Sequence, residues 1–302
     1  MWTLGSNNWI SYGWGQDKSI SHYPRGSLEN FLTIDFSSHS NKDIINPIDA
    51  AIEAVNDIVD TYPAPYTLMC SGGADSQAMI IAWMKSGRPF NIVSVKYVSN
   101  GRCFNDYDLT TLRQFCKINN LNVTYEYFDI ISFLENDLLN LSKKYDCDSP
   151  QYCTHIKMAT LVESGTVIYS GNYINGSFGL GYAILGLHRY GQIENKSVIP
   201  SFFLHNPKLA YSFINNNLCL DSDEPEDVYL KAGFLIAKPI KKYNGFEEIK
   251  EYYDQFSDRV LAKNKFLYSA KPSKRVFDML FRYPLQSYIT KIGPPLKVIS
   301  ND

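Results

Sequence analysis

One stretch of the chain has the residue types to handle a phosphate: Ser71-Gly72-Gly73-Ala74-Asp75-Ser76. Two adjacent glycines let a backbone turn sharply and approach an anion with no Cβ in the way. Ser71 and Ser76 add hydroxyl donors. Asp75 is placed either to cap a helix or to share a divalent metal with the phosphates. A second cluster, Cys147, Cys153 and His155, offers soft and borderline donors. Its spacing is neither C-x-x-C nor a standard zinc pattern, and no fourth ligand is evident. A metal site, a thiol pair and plain structural cysteines all remain open there. His22 and His39 lack ligand-like neighbours and read as surface or packed residues.

The elements around the first stretch would aim it. An apolar run, Tyr66 to Cys70, precedes the glycines, and a helical pattern, Gln77 to Lys85, follows them. Strand, tight loop and helix N-terminus gather backbone N–H groups and the positive end of a helix dipole at one place. The loop lacks the Gly-Lys-Ser/Thr of a Walker A motif and the spacing of a dinucleotide fingerprint. Upstream, Asn46-Pro47-Ile48-Asp49 opens a helix with an apolar face through Ala51, Val55 and Ile58. Downstream, strands at 91–98, 122–128 and 166–170 alternate with helices at 106–119, 131–144 and 154–163. That alternation predicts a parallel sheet covered on both faces. Ligands of such sheets lie beyond the carboxyl ends of the strands, where the loop, Tyr97 to Asn100, and Gly171 to Gly176 all fall.

Composition narrows the class. Of 302 residues, 45% are hydrophobic and 20% charged, an ordinary globular balance. Six cysteines without a disulfide-like framework and the lack of a signal-like opening lead us to expect a reducing, cytoplasmic location. The apolar stretch 165–187 contains Asn172, Asn175, Ser177 and many glycines, which argues against a membrane span. The net charge of −2 is uneven, because residues 231–302 carry 14 Lys and Arg against 7 Asp and Glu. Such a region fits a polyphosphate or nucleic-acid partner, or balances an acidic partner domain. Three segments are expected: an aromatic, turn-rich β or irregular segment over 1–45, a nucleotide-binding domain over 46–185, and a mostly helical subdomain over 186–302. The last includes a helix opened by the capping box Asn244-Gly245-Phe246-Glu247. The acidic run Asp221 to Asp227 reads as a solvated loop entering a short helix.

The hexapeptide Ser71 to Ser76 resembles Ser-Gly-Gly-x-Asp-Ser, the PP-loop of the ATP pyrophosphatases. That superfamily includes asparagine synthetase, GMP synthetase, the 7-cyano-7-deazaguanine synthases of queuosine-type biosynthesis and several tRNA-modifying enzymes. The resemblance implies an α/β fold: a parallel-sheet, adenine-nucleotide α-hydrolase-like (Rossmann-like) domain with its first strand central. It implies ATP and Mg²⁺. Ser71, Gly72, Gly73, Asp75 and Ser76 would bind the pyrophosphate, with Asp75 also a catalytic residue and a Mg²⁺ ligand. Backbone groups of Met69 to Ser71 and of Val95 to Tyr97 would hold the adenosine, and Gly171 would let the nucleotide lie close to the fourth strand. The segment Ala237-Lys238-Pro239 is similar to the Arg/Lys-Pro-Leu segment that follows the domain in several such enzymes. Lys238 is therefore the candidate cation for the departing pyrophosphate, with Lys241, Lys242 and Lys157 behind it. Family members often carry an acidic residue soon after the fourth strand, where Asn172 and Asn175 stand here.

The implied reaction is adenylation of a carboxylate or carbonyl oxygen on a small-molecule or nucleobase acceptor. Pyrophosphate leaves, and a nitrogen nucleophile completes an amidation. Residue 2 is Trp, and the segment before the loop is too short for a glutaminase domain, so ammonia or a separate subunit is the expected nitrogen source. Two other readings stay open. One is a thiolating or otherwise nucleic-acid-modifying enzyme that uses tRNA and the Cys147/Cys153 pair. The other is a non-catalytic module that binds ATP or AMP. A sulfonucleotide-reductase relative would need a C-terminal cysteine, and the last one here is Cys219.

Overall fold

A computed structural model describes residues 2–4, 7–13, 31–35, 45–145, 150–171, 180–216, 225–239 and 296–299. Helix α1 (Pro47–Thr61) starts where its sequence says. Asn46 Oδ1 accepts from the Ile48 N–H at 2.9 Å, and Pro47 takes the first helical position. Its apolar side, Ala51, Val55 and Ile58 included, is fully buried. Strand β4 (Tyr66–Met69) is buried at every residue, as a strand covered on both faces must be. Helix α2 (Ala74–Ser86) follows and stops at Gly87, which is left-handed at φ +67°. Next come β5 (Asn91–Ser99), the short β6 (Arg102–Cys103), α3 (Asp106–Ile118) and β7 (Thr124–Asp129). Helix α4 (Ile130–Ser132) runs through a π turn (Phe133–Asp137) into α5 (Leu138–Tyr145). Then follow α6 (Pro150–Ala159), β8 (Thr166–Tyr169), α7 (Leu180–Glu194), β9 (Ser197–Ile199), a 3-10 turn (Phe202–Leu204), α8 (Pro207–Asn215) and α9 (Pro225–Lys231).

The parallel strands lie in the order β7-β5-β4-β8-β9. In chain order that is third, second, first, fourth, fifth. This is the doubly wound arrangement with the first strand central, and its order reverses between β4 and β8. The α/β, parallel-sheet class expected from the sequence is what the structure has. Side chains of β4 alternate between two cores. Leu68 faces the layer of α1, α2, α3, α8 and α9, around Trp83 and Phe213, while Met69 faces Phe128, Phe133 and Ile156. The expected boundary at 185/186 falls inside α7, and β9 beyond it adds a strand to the same sheet.

A second sheet joins β1 (Trp2–Leu4), β2 (Asn7–Gly13) and β3 (Phe31–Asp35) as antiparallel neighbours. Strand β10 (Leu296–Ile299) lies parallel to β3 with Leu296 opposite Leu32. The helix expected after the 244–247 capping box lies outside the described residues. Among the described residues no helix is long and apolar enough to cross a membrane.

Candidate functional site

The chain leaves β4 at Met69 and turns through Cys70 to Gly73 into α2. Gly72 sits at φ +88°, and a Cβ there would meet the Asp108 carbonyl oxygen at 2.8 Å and Leu112 Cβ at 3.0 Å. Helix α3 backs the turn so closely that glycine alone fits. The turn is also braced from within. The Ser71 N–H donates to Ser76 Oγ at 3.2 Å, and the buried Gln77 Nε2 donates to the Gly72 carbonyl at 2.9 Å. Ser76 is 3% exposed, so its hydroxyl supports the loop from behind. Gly73 holds the N-cap position of α2, and no side chain caps the helix. The positive end of the α2 dipole is thus turned into the loop without a built-in acceptor at its N-cap.

Strands β4 and β8 pair with Met69 opposite Tyr169. Cys70–Ser71 and Ser170–Gly171 therefore leave the sheet side by side, at the point where strand order reverses and ligands of such sheets bind. Gly171 is left-handed at φ +60°, and a Cβ there would lie 1.9 Å from Ser201 Oγ. The glycine makes room for Ser201, two residues past the end of β9, a contact made only once β8 and β9 pair. Ser201 Oγ is buried and has no hydrogen-bond partner among the described residues.

Asp75 is the second residue of α2 and does not cap it. Its Oδ1 accepts a hydrogen bond from the Tyr229 hydroxyl at 2.7 Å. Tyr229 lies on α9, fully buried, its ring held among Phe203, Phe213 and Phe234. One carboxylate beside the glycine turn suits a Mg²⁺ ion that would be carried mainly by phosphate oxygens of a ligand. Among the described residues no three His, Cys, Asp or Glu side chains gather to cage a metal on their own.

The backbone groups expected to hold the adenosine are already engaged. The Cys70 N–H donates to the Val93 carbonyl at 2.9 Å. The Val95 carbonyl accepts from Asn105 Nδ2 at 2.7 Å, and the Tyr97 N–H donates to Asn105 Oδ1 at 2.9 Å. The Tyr97 carbonyl accepts from the Phe104 N–H at 2.8 Å. At the Val95 to Tyr97 edge, where adenosine was expected, the Asn105 side chain of the protein itself occupies these two groups in this conformation. The Tyr97 side chain points to the other core, where burial, and then Asp108, raise its hydroxyl pKa. Lys238 Nζ pairs with Asp227 at 2.5 Å, and Lys157 with Asp137 at 3.3 Å. Lys241, Lys242, Cys147, Asn172 and Asn175 lie outside the described residues. Cys153 is fully buried, and the His155 ring stacks on Tyr169 with centroids 5.5 Å apart. Burial, and then the neighbouring Cys116, push the Cys70 thiol pKa well up.

Fold and turn together define the class: a doubly wound α/β domain with a braced glycine turn and an uncapped helix N-terminus at its switch point. No protein-family model and no curated protein matches the chain. Among solved structures it is similar to the NH3-dependent NAD synthetase from Campylobacter jejuni in complex with the nitrate ion, at 15% identity and TM-score 0.34, over 82% of this chain and 96% of that one. It is similar to the U34-tRNA thiolase NcsA from Methanococcus maripaludis with its 4Fe–4S cluster, at 12% identity and TM-score 0.36, over 77% and 82%. It is also similar to the NMN synthetase from Francisella tularensis, at 14% identity and TM-score 0.33, over 81% and 96%.

Proposed function

We propose that this chain is an ATP pyrophosphatase of the PP-loop kind, which adenylates a carboxylate or carbonyl oxygen and releases pyrophosphate. The observation that carries the reading is the placement of Ser71 to Ser76. A turn that resembles the PP-loop stands at the switch point of the sheet, on an uncapped helix. Ser76 and Gln77 hold the loop in shape before a ligand arrives, so binding requires little reorganisation there. Backbone N–H groups of the loop and the α2 dipole receive the β- and γ-phosphates. Asp75, held by Tyr229, would contribute a carboxylate to Mg²⁺, which would supply positive charge beside the leaving pyrophosphate. The acceptor oxygen attacks the α-phosphorus, the α–β bond breaks, and a nitrogen nucleophile later displaces AMP. Lys238 would serve the leaving group by exchanging Asp227 for phosphate. The full burial of Cys153 weighs against sulfur relay through that thiol. The basic 231–302 region supports a nucleic acid such as tRNA as an acceptor to test beside small molecules.

The test is ATP cleavage by the full chain with Mg²⁺, resolving AMP plus pyrophosphate from ADP plus phosphate. Acceptors are small carboxylates, 7-deazaguanine-type acids and bulk tRNA, each with ammonia. AMP and pyrophosphate are expected with one acceptor, falling about 10²-fold or more in Asp75→Ala. ADP and phosphate would overturn the reading. Tight ATP binding with no cleavage across the acceptors would replace it with a nucleotide-binding module.

A further inference from the structure

The edge of β5 nearest the phosphate turn is closed by the protein itself. One edge of β5 pairs with β7 from Val93 to Val98. Its other edge pairs with β4 over Asn91 to Val93, and β6 folds back on Val98 and Ser99. Between these two, β4 has already left the sheet to make the phosphate turn. The Val95 carbonyl and Tyr97 N–H are the groups left facing that gap, and the Asn105 carboxamide takes both. Its orientation is forced, because a backbone N–H can only donate and a carbonyl can only accept.

That choice of side chain has a chemical twin. A carboxamide presents an N–H donor and an oxygen acceptor on one carbon. A 6-aminopurine presents its exocyclic amino donor and its ring N1 acceptor on one carbon, at nearly the same span. Whatever satisfies Val95 and Tyr97 as Asn105 does is matched by that edge of adenine. A 6-oxopurine, with acceptor and donor reversed, is not matched when its phosphates are fixed at the turn.

Asn105 also has somewhere else to go. It is the N-cap residue of α3, and Asn is among the best N-caps, yet its side chain makes no capping bond. Its ψ is 26°, where a capping residue is usually extended. The hairpin before it turns at Asn100 and Gly101, both exposed and left-handed at φ +47° and +77°. The side chain thus has two jobs at one position, plugging β5 or capping α3.

We propose that Asn105 is a base-specific gate: it occupies the β5 edge in the unliganded protein, yields that edge to a 6-aminopurine, and caps α3 when displaced. The inference rests on the phosphate-turn reading above. Binding of ATP, ITP and tripolyphosphate to the wild type and to Asn105→Ala, with Mg²⁺, separates the two. Removing the plug should tighten ATP binding about 3- to 10-fold while ITP and tripolyphosphate change less than about twofold. ATP affinity that is unchanged or weaker in Asn105→Ala, with tripolyphosphate still bound, would make Asn105 a structural plug and sink the gate. Failure of tripolyphosphate to bind either protein would remove the phosphate-turn reading and the gate with it. A second measurement needs no variant. The side-chain NH₂ resonance of Asn105 in the wild type should shift with ATP and stay put with tripolyphosphate. An unmoved resonance at saturating ATP would overturn the proposal.

Discussion

Gly72 shows how much one residue can settle. Its φ of +88° and the Asp108 carbonyl 2.8 Å from a would-be Cβ leave no room for alanine. Gly72→Ala should cost about 1–3 kcal/mol in urea unfolding, and it should weaken tripolyphosphate binding because the turn must shift. His205 makes a prediction about acid. Burial pushes its pKa down to about 4 from the ordinary 6.5, against a smaller opposing pull from Asp57. Between those values the unfolded chain binds more protons than the folded one, so stability is complete above about pH 6.5 and falls as pH drops toward 4. The unfolding free energy should fall across that range by up to about 3 kcal/mol from this group, and His205→Asn should flatten part of the slope. Of the residues around the turn, Ser71 to Ser76 were legible as a tight strand-to-helix turn because the glycines and the flanking periods are local. Asn105 and Tyr229 were not. Each acts through contacts made only after β5 and β4 pair, or after α9 packs on α2, and an Asn before a helix reads as a cap.

At the scale of elements, alternation of apolar strands and amphipathic helices predicted most of α1 to β8, since each carries its own period and stop signals; α6 (Pro150–Ala159) lies four residues before the expected 154–163, and the two-residue β6 gave no period to read. Helix α7 was hidden because its glycine-rich sequence shows little amphipathic contrast. Strand β9 was hidden because three residues give no period. Helix α9 is short, yet it brings the Tyr229 hydroxyl 2.7 Å from Asp75. Tyr229→Ala should cost about 3–5 kcal/mol by emptying a fully buried aromatic site. Tyr229→Phe keeps the ring and loses only the bond to the carboxylate. It should cost about 1–3 kcal/mol, with most of that loss absent in an Asp75→Ala background. Equal losses in both backgrounds would mean the two side chains are not coupled.

At the scale of the molecule, chain order and strand order together place the glycine turn. The first parallel strand is central, so its loop sits at the reversal, with β8 and Gly171 beside it. The sequence carries that order only indirectly, because pairing between distant strands is a property of the folded sheet. The second sheet illustrates the same point, with β3 and β10 paired across nearly the whole chain. Val298→Pro should break that pairing and speed hydrogen exchange in 31–35 at least about tenfold, leaving β4 to β9 protected. Unchanged exchange in 31–35 would show that β2 alone secures β3. The pairing also bears on how the protein is made. β3 emerges from the ribosome early and β10 late, so at ordinary elongation rates the β3 edge waits on the order of tens of seconds for its partner. Throughout that interval a bare strand edge is offered to neighbouring nascent chains. Slow codons in 36–295 should therefore lower soluble yield by lengthening the wait, without altering the finished protein.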